Sequence, residues 1–77
     1  MIFFEKILSL AEHGYHVEFS KGYMFESYIE ITMSKYDHYK GLCHNKKSLY
    51  HDYHNELLIV TILDEMKEDL DKFIEHD

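Results

Sequence analysis

The sequence predicts an α+β fold, a three-stranded antiparallel sheet with two helices packed on one face, in the order α-β-β-β-α. Three observations carry that expectation. Residues 55–76 place Ile59, Ile62, Leu63, Met66, Leu70, Phe73 and Ile74 at the i, i+3, i+4, i+7 spacing of one helix face. Residues 2–13 repeat the helical spacing over a shorter span, and the stretch between them alternates apolar and polar side chains with the period of two that marks strands.

In the first helix Phe3, Phe4, Ile7, Leu10 and Ala11 fall on one face, with Glu5, Ser9 and Glu12 on the other. Gly14 stops it, since glycine reaches the left-handed cap at no steric cost, and His13 stands in the last turn where its protonated form suits the helix dipole. Residues 15–20 form the first strand, with Tyr15, Val17 and Phe19 facing inward, and Lys21 and Gly22 end it. Tyr23, Met24 and Phe25 make an oily connector, expected to tuck over the end of the core. Residues 27–36 form the second strand, with Ile29, Ile31 and Met33 on its apolar face. Residues 37–45 read as a turn region with Lys40 and Gly41 at its tip, and the third strand is expected at 47–52. Asp52 and Asn55 are both suitable N-caps for the long helix. Residues 57–61 also have the composition of a buried strand, but the stripe from Ile59 to Ile74 stays in phase without a break, which favours helix throughout. Both helices must cover the sheet face that carries Val17, Ile29, Ile31 and Met33, because the other face is polar.

Seventy-seven residues make a single domain, 1–77, with one core. A net charge of −7 and eight lysines with no arginine disfavour direct binding to nucleic acid, whose phosphates and guanine edges are read best by the guanidinium fork. A lone cysteine, Cys43, permits no intrachain disulfide and fits a reducing, cytoplasmic setting. No apolar run approaches the length of a membrane span, and the first residues lack the pattern of a signal peptide.

Cys43, His38, His44, His51 and His54 crowd one stretch, and zinc accepts such ligands. Their spacing argues against it, because His51 and His54 point to opposite faces of a strand, as do adjacent Cys43 and His44. Neither a nucleophile motif nor a glycine-rich phosphate loop is present. The expectation is therefore no enzyme, no metal and no cofactor.

Charge is the informative feature. Residues 1–63 hold eight acids and six lysines, while residues 64–77 hold seven acids and two lysines. Tyr28, Glu30, Tyr36, Tyr50 and Asp52 are expected together on the open sheet face, and aromatics among carboxylates suit contact with a basic protein surface. The short helix closed by Gly14, the strands at 15–20 and 27–36, and the acidic final helix resemble the small helix-three-strand-helix proteins encoded by phages and other mobile elements. Among these are some type II-A anti-CRISPR proteins, inhibitors of Cas9. The resemblance, one of order, size and charge, implies an acidic inhibitor that imitates DNA in the basic groove of a host nucleic-acid-binding protein such as Cas9. Asp64, Glu65, Glu68 and Asp71 of the final helix, Glu30 and Asp37 of the sheet and hairpin, and Tyr28 and Tyr36 are the expected partner-binding residues. The competing expectation is a structural or assembly module whose oily connector or exposed sheet edge pairs either with a second copy, giving a homodimer, or with a larger complex.

Overall fold

The computed structural model describes residues 2–23, 27–51 and 54–76. Helix α1 spans Ile2–Glu12, strands β1, β2 and β3 span Tyr15–Tyr23, Ser27–Asp37 and Gly41–Leu49, and helix α2 spans Glu56–Glu75. The strands form an open antiparallel sheet in the order β1-β2-β3. The expected α-β-β-β-α architecture is thus the one observed.

Register decides which side chains share a face. Val17 pairs with Met33 and Phe19 with Ile31, while Met33 pairs with Asn45 and Ile29 with Leu49. Directly opposite residues lie on the same side, so Tyr15, Val17, Phe19, Ile29, Ile31, Met33, Cys43 and Leu49 form one face. Both helices lie on it. Phe3 of α1 meets the Phe19 ring edge-on at 5.5 Å, and Asn45 Nδ2 donates to the Met66 carbonyl of α2 at 3.0 Å. Ile59, Ile62, Leu63, Met66 and Leu70 supply the buried stripe of α2, as their spacing requires, and residues 57–61 are helical.

Local chemistry sets the boundaries. Gly14, at φ 88°, turns the chain from α1 into β1. Asp37 Oδ2 accepts from the Tyr39 and Lys40 amides at 3.0 and 2.9 Å, and Gly41 at φ 77° closes the three-residue connection to β3. Asn55 Oδ1 caps α2 by accepting from the Leu58 amide at 3.2 Å.

Four expectations are corrected. The third strand is Gly41–Leu49, not 47–52, and the turn before it is three residues, 38–40. Its inward positions, Cys43, Asn45, Lys47 and Leu49, are half polar because an edge strand needs only partial cover, so alternation is hard to read there. The first strand continues through Lys21 and Gly22 to Tyr23; glycine persists in it because the Tyr28 ring occupies the space a Cβ at Gly22 would fill. Phe4 and Ala11 face outward from α1, and Phe73 is exposed on α2, because each helix presents less than half its circumference to a single sheet. Residues 24–26 of the oily connector, and Asp52, lie outside the described residues.

Candidate functional site

Charge is segregated by layer. The two helices carry nine acids and three lysines, whereas the three strands carry three acids and four lysines. The excess sits on α2, whose outer surface presents Asp64, Glu65, Glu68, Asp69 and Glu75, all exposed, while the opposite surface is committed to the core.

The expected partner-binding residues do not form one patch. Asp64, Glu65 and Glu68 lie on the helix side of the molecule. Tyr28, Glu30 and Tyr36 lie on the open sheet face, on the other side. Asp37 is spent on the backbone of its own turn. Tyr28 packs across Gly22 and against Tyr50 at 5.1 Å, so most of its ring is used within the sheet. Tyr36 stands 68% exposed beside its equally exposed cross-strand partner Leu42, with Tyr39 92% exposed in the adjoining turn.

Asp71 turns inward. It accepts from the Tyr15 hydroxyl, and Lys67 Nζ lies 2.9 Å from its other oxygen. The Tyr15 ring is flanked by two ammonium groups, Lys35 at 4.4 Å and Lys67 at 5.2 Å. Burial by itself raises the Asp71 pKa, but the hydrogen bonds from Tyr15 and Lys67 and the charges of Lys67 and Lys35 outweigh it and hold the carboxyl below its ordinary value. The reciprocal hydrogen bond with Asp71 raises Lys67, and the Asp71 charge adds to it. This network ties β1 to α2. Nothing in the sequence spacing marks it, since it depends on how the helix is docked.

Lysines offset part of the outer array. Lys6 of α1 reaches Asp64 at 2.5 Å, and Lys72 reaches Glu68 at 3.2 Å. Both partners of the second pair are more than two thirds exposed, and such an i,i+4 pair is worth only about 0.3–0.5 kcal/mol, so a competing cation displaces it easily. Glu65, Asp69 and Glu75 make no ion pair among the described residues. On the sheet face Lys46 lies 3.7 Å from Glu30.

The crowded histidine stretch is dispersed. Cys43 is buried on the covered face, His44 is exposed on the open one, and His51 and His54 are exposed beyond the strand. Among the described residues there is no pocket and no group of three or more His, Cys, Asp or Glu placed to hold a metal ion. No helix is long and apolar enough to cross a membrane. Comparison with protein families, with curated proteins and with solved structures gave no match.

Proposed function

We propose that this chain is a protein-binding module that lays the acidic face of α2 into a basic, nucleic-acid-binding groove of a host protein and so excludes the nucleic acid. An anti-CRISPR acting on Cas9 by DNA mimicry is the specific form of this reading. The supporting observation is the linear density of carboxylates on the outer face of α2. Asp64 to Glu75 spans about 16 Å at a rise of about 1.5 Å per residue. Five outward carboxylates with the first and last at the ends of that length stand on average about 4 Å apart along the axis, comparable to the roughly 3.4 Å per charge of one strand of duplex DNA. Lys6 and Lys72 lower the net density, and a groove rich in arginine and lysine draws Glu68 away readily because its pair with Lys72 is exposed and weak, whereas Asp64 is held more closely by the half-buried Lys6.

Asp64, Glu65 and Glu68 keep the role expected for them, and Asp69 and Glu75 join them. Asp71 does not, because its two oxygens are engaged with Tyr15 and Lys67. A basic groove binds this array less tightly as salt rises, because the attraction between its cations and the carboxylates is screened.

The test is competition. Purified protein is titrated into guide-loaded Cas9 and target duplex, with DNA binding read by fluorescence anisotropy at low and at physiological salt. Displacement of DNA that weakens as salt rises, and at least about tenfold weaker displacement by the triple reversal Glu65→Lys, Asp69→Lys, Glu75→Lys, is the expected result. No displacement removes Cas9 as the target. Displacement unchanged by the triple reversal removes the α2 face as the binding surface.

A further inference from the structure

The open face of the sheet is a large surface that neither helix covers. Register arranges its side chains in rows across the strands: Gly22 with Tyr28; Ser20, Glu30 and Ser48; Glu18, Thr32 and Lys46; His16, Ser34 and His44; and Tyr36 with Leu42. The middle rows are short at their centre, where Thr32 and Ser34 lie. Large side chains stand at both ends, Tyr28 against Tyr50 at one and Tyr36 beside Leu42 at the other.

Charge on this face is ordered from edge to edge. Glu18 on β1 and Lys46 on β3 both register with Thr32, so the carboxylate and the ammonium sit at the same height on either side of the central strand. A twofold axis that runs parallel to the strands above Thr32 brings β1 of one copy over β3 of another without changing height. Glu18 of each copy then faces Lys46 of the other, and the contact closes because it is isologous. An axis at right angles to the strands instead sets Glu18 on Glu18 and Lys46 on Lys46. Along the first axis β2 faces itself: Thr32 and Ser34 let the sheets approach, and the tyrosines at the ends supply area. The two Glu30 carboxylates that meet there are each offset by the Lys46 of their own chain at 3.7 Å, which then lies between that Glu30 and the other copy's Glu18.

The area fits. The chain exposes 5727 Å², whereas a monomer of 9.4 kDa is expected to expose about 5,000 Å². The excess of about 700 Å² belongs to the slab as a whole, of which the bare sheet face is one part, and is of the order of the roughly 800 Å² that each partner commits to an interface of standard size.

We propose that the open sheet face binds a second copy of this chain across a twofold axis parallel to the strands, giving a four-layer α/β/β/α dimer with both α2 faces outward. The proposal is independent of the reading of α2, since the two surfaces lie on opposite sides of the molecule. Sedimentation equilibrium of the untagged full chain, from micromolar to millimolar, tests it. The expected mass is twice 9.4 kDa at the upper concentrations. Thr32→Arg gives a monomer with an unchanged circular dichroism spectrum. Lys46→Glu raises the dissociation constant by at least about tenfold, and adding Glu18→Lys recovers most of that loss, as restored pairs require. Glu65→Lys, on the far side, leaves the mass unchanged. A monomer throughout the concentration range overturns the proposal. So does a dimer indifferent to Thr32→Arg, or a Glu18→Lys, Lys46→Glu protein that dimerises no better than Lys46→Glu alone.

Discussion

Asp71 shows how a single side chain can be misread from a helical wheel. By spacing it belongs with Asp64 and Glu68, yet it points to the edge of the sheet and receives the Tyr15 hydroxyl and the Lys67 ammonium. The strand pattern made Tyr15 an inward residue, which was legible; its hydroxyl partner, fifty-six positions away, depends on the rotation of α2 over the sheet, which no local pattern encodes. Two oxygens engaged in a half-buried site make this carboxylate a stabilising group. Its pKa is lowered in the folded protein, so the stability it contributes is fully present above its unfolded value, near 3.8, and is lost as pH falls through the folded value. Asp71→Asn is therefore expected to destabilise the protein by about 1 kcal/mol at neutral pH, since the neutral amide still accepts from Tyr15 but no longer pairs with Lys67. Urea unfolding of both proteins from pH 7 to pH 2 checks the sign. The difference stays level down to about pH 4 and narrows below it. A difference that persists unchanged at pH 2 assigns the effect to packing instead.

At the scale of elements, what was legible tracks how completely each element is buried. α2 was read closely because five residues of one stripe are buried and none interrupts the phase. β2, central and paired on both sides, was read to within a residue. β3 was misplaced by several residues, since its inward side carries Asn45 and Lys47 beside Cys43 and Leu49, and polar side chains survive there because α2 covers the strand only in part. The end of α2 was also opaque. Lys40, in the turn before β3, reaches across to hydrogen-bond the Phe73 and His76 carbonyls and places its ammonium 4.8 Å from the centre of the Phe73 ring. The last four carbonyls of a helix lack partners within it, and a cation there also opposes the negative end of the dipole. Lys40 therefore caps α2 from another element. Lys40→Met, which keeps the apolar stem and removes the ammonium, is expected to cost about 0.5–1 kcal/mol and to speed amide hydrogen exchange in the last turn of α2. Exchange in the first turn, capped by Asn55, stays as it was. Equal acceleration at both ends excludes the capping role.

The whole molecule is a slab, with Cα extents of 38 × 29 × 15 Å and a radius of gyration of 13.0 Å, against about 11.5 Å for a compact chain of 77 residues. Flatness follows from building two layers with one sheet face bare, and it limits the core to a single sheet-to-helix seam centred on Ile31, Met33, Leu63 and Leu70. The same geometry separates the acidic helix layer from the near-neutral sheet, so one side can meet a basic partner while the other meets its own copy. Domains of this length hold about 4–11 kcal/mol of stability, and association is then a sizeable fraction of the total. For a dimer, each tenfold rise in concentration adds about 1.4 kcal/mol per dimer, or about 0.7 kcal/mol per protomer. A domain of 60–100 residues gains about 4–8 °C per kcal/mol, so its melting temperature should climb by about 3–5 °C for each tenfold increase. Differential scanning fluorimetry across two decades of concentration reads this directly. Thr32→Arg should flatten the dependence while leaving the melting temperature at the lowest concentration near that of the parent, because the substitution touches the open face and not the seam beneath it. Equal slopes for the two proteins place the association, and the stability it confers, on some other surface.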